Sequence, residues 1–215
     1  MGPRHAPHYA DIFMARKIDP KIEEIFRRYD NNSNDINALQ RFLDDMIKIF
    51  FGTSQDLHNI LEEMNQMHPS IKFTMSHTTN IFEDEATKCA CPHQESVSYL
   101  DTSCKISEGK IILDLFKKPT DRNMYLLPSS CHPPHQHKNI PFSLAMRINR
   151  VCNIPETRDL RLQELKDMLV NREYQPRMID SAIQRARNIP RDIALRKVVK
   201  TKHTERPVAV VSWDP

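Results

Sequence analysis

The chain has 215 residues, of which 27% are charged and 39% are hydrophobic, and this balance excludes a disordered tail and a bundle of membrane helices. No apolar run reaches the ~18 residues that a membrane helix needs, so we expect no membrane partner. The formal net charge is +3, but residues 158–202 hold twelve Lys and Arg against six Asp and Glu. This local excess of positive charge indicates a nucleic-acid surface near the C-terminus, although a solvated basic helix face fits it equally well.

The compartment is predicted from the N-terminus and from the cysteines. Residues 1–15 lack the basic start and apolar run of a secretory signal. The five cysteines are an odd number and are scattered, which argues against the disulfide framework of a secreted protein. We therefore expect the protein to be intracellular.

The first predicted elements are a short helix beginning after Pro7 and a polar turn at 30–38. Residues 36–50 then admit two interpretations. Their apolar residues recur at helical spacing, which favours a helix with Asp44 and Asp45 on its solvent side. The alternative is a strand, a turn and a strand, with both aspartates at the tip. Buried carboxylates are costly unless a positive group pairs with them, so Asp44 and Asp45 indicate either a solvated face or a metal site.

Further elements follow in order. The pattern predicts a helix capped by Ser54, a strand at 70–77, a β-hairpin at 96–118 that turns at 107–109, and a loop rich in Pro and His at 119–138. From Pro141 onward it predicts a helix and then a pair of helices at 156–191, broken at Gln175 and Pro176. A final strand is predicted at 205–215. The predicted fold class is α+β, and the aromatic residues expected to pack rather than stack on bases are Tyr99, Phe116 and Trp213.

Two kinds of site are suggested by the cysteines and histidines. A zinc site would draw on Cys and His ligands in fours, here from Cys89, Cys91, His93, Cys104, Cys131, His132, His135 and His137. Their spacing does not match the usual paired pattern, so we favour ordinary loop residues. A nucleophilic pair of Cys131 and His135 has no family signature around the cysteine, and chance proximity explains it as well.

The paired helices at 156–191 also admit a sequence-reading function. If the second helix enters a groove, its polar residues should face base edges, and Gln184, Arg185, Arg187 and Asn188 could do so. The alternative is a helical subdomain whose basic face is only solvated.

Several segments, in this order, resemble the reverse transcriptases of Penelope-like retroelements. They are "MGPRHAPHYADIFM", "RFLDD", "HPSIKFT", "KPTDRNMYL" with "SCHP", "IPFSLAMRINRVC" and "RPVAVVSWDP". The run from "KPTDRN" to "SCHP" is the most specific, whereas "LDD" alone is weak. C-terminal parts of such proteins also resemble an animal helix-turn-helix domain, which would correspond to about 138–200 here.

This resemblance implies a partial polymerase palm at 1–135, a helical thumb or helix-turn-helix region at 136–202, and a tail at 203–215. It implies a β-turn-β structure around Asp44 and Asp45, which would be catalytic and bind Mg²⁺. The hairpin at 99–115 would resemble the primer grip. Nucleotide or template would be contacted by Gly2, Ala6, Pro7 and Phe42. Template and primer, as RNA or DNA, would be bound by Lys117, Lys118, Arg122, Arg177, Arg185, Arg187 and Arg191.

The resemblance also implies an incomplete catalytic site. The family's third metal-binding carboxylate lies upstream of the segment that matches Gly2–Met14, and Glu62, Glu63, Asp84 and Asp101 do not match its position. We therefore expect an inactive fragment of an RNA-directed DNA polymerase, nuclear by class, with no small-molecule cofactor. The alternative is a non-enzymatic nucleic-acid-binding helix-turn-helix module.

Overall fold

The computed structural model describes residues 5–30, 39–78 and 94–196, and it confirms the predicted α+β class. The chain divides into two compact units, 1–110 and 111–215. The predicted tail and several predicted site residues lie outside the described ranges: Gly2, Asp84, Cys89, Cys91, His93 and Trp213.

The N-terminal unit contains three α-helices. Helix α1 (Ala6–Phe13) continues through a π-helical segment (Met14–Ile18) into α2 (Asp19–Tyr29), and α3 spans Ser54–Gln66. A run of apolar residues four and three positions apart places one face of α2 in the core. That core consists of Ile18, Ile22, Ile25, Ile60 and Met64.

Helix α3 is confirmed, but its cap and its first residue each lie one position earlier than the predicted cap at Ser54 implies. The N-cap is Thr53, whose hydroxyl accepts from Asp56 N at 3.1 Å, while the Asp56 carboxylate accepts from Thr53 N at 3.0 Å. This reciprocal pair is a capping box. Ser54 is instead a buried residue of the first turn.

The strand predicted at 70–77 is wrong, because residues 71–78 form no strand. The side chain of Asn65 binds this segment in place of a neighbouring strand. Its Oδ1 accepts from Phe73 N at 2.7 Å, and its Nδ2 donates to Phe73 O at 3.1 Å. An amide side chain presents the same donor and acceptor as a peptide group, so the extended backbone is satisfied without a sheet.

A helix over 36–50, which periodicity favours, is wrong at 40–47, where the structure confirms the strand, turn and strand that the resemblance implies. Strands β1 (Gln40–Phe42) and β2 (Asp45–Ile47) pair antiparallel, with Phe42 opposite Asp45. Leu43 and Asp44 form the turn, and Leu43 has a φ of 55°. Phe42 and Leu43 are exposed, so the apolar residues that a helix would place on one face are divided between core and solvent.

A second hairpin contains the same kind of turn. Strands β3 (Val97–Tyr99) and β4 (Thr102–Ser107) pair antiparallel, with Tyr99 opposite Thr102 and Leu100 at a φ of 54°. The predicted turn at 107–109 is confirmed: Gly109 takes a φ of 72° between β4 and β5 (Lys110–Leu115). The two small sheets have the orders β1-β2 and β3-β4-β5.

The C-terminal unit contains four described helices: α4 (Pro134–Val151), α5 (Pro155–Asn171), α6 (Pro176–Arg187) and α7 (Arg191–Leu195). The first three begin with proline, which needs no hydrogen-bond partner in a first turn. The start predicted at Pro141 is wrong, since Pro141 is buried inside α4. The core that joins these helices includes Ala145, Ile148, Leu162, Leu165, Leu169, Tyr174, Ile179 and Ala186. No helix in the described ranges is long and apolar enough to cross a membrane.

Candidate nucleic-acid interface

A short turn at 172–175 connects α5 to α6 and is held from both sides. Tyr174 is only 2% exposed, and its hydroxyl donates to Leu126 O at 2.8 Å. Its backbone N–H donates to Leu169 O at 3.1 Å, and Arg172 donates to Tyr125 O. The turn therefore fixes the start of α6 relative to α5 and to the preceding loop.

The surface of α6 is divided into four parts by its contacts. Ile179, Ala182 and Ala186 are buried. One side faces α5 and carries Asp180 and Arg187, and the opposite side faces α4 and carries Arg185. An exposed polar stripe remains, formed by Arg177, Ser181, Gln184 and Asn188.

Ion pairs occupy the side of α6 that faces α5. Lys166 Nζ lies 2.6 Å from Asp180 Oδ1, and Arg187 Nη2 lies 2.9 Å from Asp159 Oδ1. On the α4 side, the guanidinium of Arg185 lies 4.4 Å from the centre of the Phe142 ring, a distance typical of a cation–π contact. Of the residues predicted to read base edges, Arg185 and Arg187 therefore have partners within the protein.

The polar stripe differs from these two sides. Gln184 Nε2 donates to Asn188 Oδ1 at 3.2 Å. Arg177 forms no ion pair with any residue in the described ranges, and no side chain caps the N-terminus of α6. A cation in a first turn is disfavoured by the helix dipole, so Arg177 is not placed there for the stability of α6.

A buried amide, which the sequence interpretation missed, holds the C-terminal end of α6. Asn149 of α4 is 1% exposed, and its Nδ2 donates to Ala186 O at 3.1 Å and to Ile189 O at 2.7 Å. A polar residue on the buried face of an amphipathic helix is the signal that could have revealed it. Asn149 thus links α4 to the end of α6.

The predicted nucleic-acid residue Arg191 also has partners within the protein. Its Nε donates to Arg150 O at 3.0 Å, and Arg150 Nε donates to Ala194 O at 2.9 Å. These bonds hold α7 against α4 and leave part of the Arg191 guanidinium for other contacts.

Around Asp114, charged groups form a network on one side of α5. Arg161 donates to both carboxylate oxygens of Asp114 and to Glu164 at 2.8 Å. Burial raises the pKa of Asp114, but the bonds from Arg161 and from the Leu115 backbone outweigh it and the pKa is lowered. Lys117 lies 3.8 Å from Glu164, so this predicted phosphate-binding lysine is part of the network.

The remaining predicted cations of this unit are exposed, whereas its cysteine at 152 is buried. Lys118 and Arg122 are exposed in the loop that follows β5. Cys152 is buried, and burial raises its pKa to about 11. Since the thiolate is the reactive form of cysteine, Cys152 is a packing residue.

At the first hairpin, Asp44 and Asp45 are both exposed. Burial, and then the charge of Asp45, raise the pKa of Tyr99, so the two hairpins approach one another here. Ala6 and Pro7 lie on α1. Arg41 connects α1 and α2 to β1, through Asp11 at 2.9 Å and Asp19 at 3.0 Å.

The described ranges hold no group of three or more His, Cys, Asp or Glu side chains that could bind a metal ion. Asp44 and Asp45 therefore offer two carboxylates where two-metal nucleotidyl transfer needs more ligands. The described zinc candidates form no such group either: Cys104, Cys131, His132, His135 and His137.

Comparison with known proteins adds one match. The family described as the animal helix-turn-helix domain matches residues 124–184. This segment includes α4, α5 and most of α6. The match begins and ends earlier than the 138–200 predicted. No curated protein and no solved structure matches the chain, and nothing found supports the predicted likeness to a reverse transcriptase.

Proposed function

We propose that this protein binds nucleic acid through its helix-turn-helix region, with α6 as the helix that contacts the duplex. The family match at 124–184 carries this proposal, because the second helix of a helix-turn-helix lies in the major groove in the DNA-binding members of this class. The turn at 172–175 precedes α6, as that arrangement requires.

The exposed polar stripe on α6 is the contact surface of the proposal. In helix-turn-helix proteins the N-terminal residues of the second helix reach base edges. Here Arg177 and Ser181 lie in the first half of α6, and Gln184 follows in its last turn. Arginine commonly binds guanine, glutamine commonly binds adenine, and serine binds either base. Arg177 lies at an uncapped helix start, where backbone N–H groups also favour phosphate.

Ion pairs on the side of α6 that faces α5 limit the strength of the expected contact. Asp180 and Asp159 each neutralise one cation, Lys166 and Arg187. The stripe itself adds one positive charge, from Arg177. We therefore expect moderate affinity that falls as salt rises, because each phosphate contact releases about one counterion.

A binding assay on the full chain tests the proposal. Labelled duplex DNA, an RNA–DNA hybrid and duplex RNA are titrated with protein from low to physiological salt, and anisotropy is measured. We expect binding that weakens with salt, and a weaker complex for Arg177→Ala, by about 1–3 kcal/mol if Arg177 contacts a base. Lys138→Ala, an exposed cation on α4, is the charge-matched control and should bind like the natural chain.

Absence of binding to all three nucleic acids at low salt would contradict the proposal. Equal losses in Arg177→Ala and Lys138→Ala would show that binding depends on net charge rather than on α6.

A second candidate, the palm of a reverse transcriptase, is favoured by one observation. Asp44 and Asp45 lie at the tip of an antiparallel hairpin, which is the arrangement that the resemblance implies. The metal site does not fit as described, because no third carboxylate joins Asp44 and Asp45 among the described residues, and we derive no catalytic step. With Mg²⁺, primed template and nucleotides we expect no extension; extension that is lost in Asp44→Ala would establish this second candidate.

A further inference from the structure

Two arginines from different helices converge on one carboxylate beside the polar stripe. Arg187 of α6 places Nη2 2.9 Å from Asp159 Oδ1 of α5, and Arg158 places Nε 3.9 Å from the same oxygen. All three side chains reach solvent, since they are 41% exposed for Arg187, 28% for Arg158 and 53% for Asp159. The group therefore lies at the surface, next to the proposed contact helix.

Asp159 leaves one of these arginines unsatisfied. A separation of 3.9 Å is too long for a hydrogen bond, and Arg158 Nε is buried without a hydrogen-bond partner in the described part of the chain. A buried donor without an acceptor is costly. The carboxylate thus binds Arg187 and leaves Nε of Arg158 without an acceptor, although the Arg158 side chain as a whole is 28% exposed.

A phosphate group suits this pair better than a carboxylate does. Guanidinium groups bind phosphate through parallel hydrogen bonds, and the unesterified oxygens of a backbone phosphate can face two arginines at once. An exposed ion pair such as Arg187–Asp159 is weak. Because Asp159 is half exposed, its side chain can turn to solvent without leaving a buried charge.

We propose that Arg158 and Arg187 form a binding site for one backbone phosphate of a nucleic acid, which Asp159 occupies in the free protein and which the phosphate takes over on binding. This proposal rests on the proposed function, because α6 brings the nucleic acid to the site. Asp159 then weakens binding, and Arg187 acts as a backbone contact that positions α6 without reading sequence.

The test compares two variants of the full chain that lose the same charge. Asp159→Asn frees both arginines. Glu156→Gln removes a charge from the first turn of the same helix, where Glu156 forms no ion pair within the described ranges. Asp159→Asn should bind duplex DNA about two- to fivefold more tightly, the size that an exposed ion pair allows. Its salt slope should stay close to that of the natural chain, because both complexes contain the same phosphate contact. Glu156→Gln should gain less than Asp159→Asn.

A second pair of variants tests whether the gain passes through Arg187. In an Arg187→Ala background, Asp159→Asn should give no gain beyond that of Glu156→Gln. Circular dichroism and melting curves verify that the variants are folded. If the natural chain binds and Asp159→Asn gains no more than Glu156→Gln, the phosphate site is wrong and the proposed function stands. If neither the natural chain nor Asp159→Asn binds any nucleic acid, both proposals fail.

Discussion

The two compact units of this protein stabilise their elements in different ways. The C-terminal unit joins its helices through a closed apolar core and through buried polar side chains, Asn149 and Tyr174. The described part of the N-terminal unit has a smaller core, and its elements are also held by ion pairs of Arg41 and Glu63, whose side chains are 11% and 32% exposed. The comparison teaches that packing determines the arrangement of α4, α5 and α6, whereas the hairpin around Asp44 depends more on the ion pairs of Arg41.

Of the changes that test this comparison, Asn149→Ala should have the largest effect on stability. The change leaves Ala186 O and Ile189 O without their buried donor, so the C-terminal unit should lose about 1–3 kcal/mol of its free energy of unfolding. Hydrogen exchange of the amides of α4 and α6 measures the loss. Asn188→Ala, at an exposed position at the end of α6, is the control. A loss no larger than that of the control would mean that the amide does not hold α6.

The second-largest effect is expected from pH, because the two units should lose stability at different pH values. Bonds from Tyr29 first, and then from Arg28, lower the pKa of Glu63 below its ordinary 4.5 despite burial. The pKa of Asp114 is lowered below 3.8. A lowered carboxyl pKa gives stability that is present above the ordinary value and is lost as pH falls through the folded value. The N-terminal unit should therefore begin to weaken at a higher pH than the C-terminal unit.

Exchange rates measured per unit between pH 6 and pH 2.5 provide the measurement. Glu63→Gln should flatten the profile of the N-terminal unit alone, and Asp114→Asn that of the C-terminal unit alone. If the two units lose stability over the same pH range and neither variant changes the profile of its own unit, Glu63 and Asp114 do not determine the acid sensitivity.

The smallest effect is expected at the first hairpin. Leu43 has a positive φ, which costs a residue with a Cβ about 1–2 kcal/mol, and it is 53% exposed, so little packing is lost on substitution. Leu43→Gly should stabilise the hairpin by about 0.5 kcal/mol once the greater freedom of glycine in the unfolded chain is included. Urea unfolding of the N-terminal unit measures it. Destabilisation would mean that the Leu43 side chain packs more than its exposure indicates.

Sequence patterns predicted the helical unit better than the hairpins. Helix α6 carries a clear apolar face, and α5 buries Leu162, Leu165 and Leu169 at helical spacing, so the existence and order of both helices followed from periodicity. The same periodicity predicted a helix over 36–50. It does not indicate that Leu43 adopts a turn conformation more typical of glycine. The resemblance to a polymerase gave the hairpin that periodicity missed.

Contacts made by single polar side chains could not be predicted from the sequence. Asn65 replaces a strand partner for Phe73, and Asn149 fixes the end of α6. Both depend on backbone groups that are distant in sequence, and the sequence shows only an asparagine on a helix. The cations were predicted by type, but their partners Asp159, Phe142 and Glu164 could not be assigned before the helices were packed.

The paired turns of the two hairpins bear on how a short acidic motif should be interpreted. The sequence "FLD" at 42–44 and the sequence "YLD" at 99–101 make the same bend, with leucine at almost the same backbone angle. An aspartate after leucine in such a turn is thus explained by the backbone conformation alone. The first hairpin differs from the second by Phe42 in place of Tyr99 and by Asp45 in place of Thr102. Three letters shared with an enzyme family can therefore arise from local geometry, without any inheritance of its chemistry.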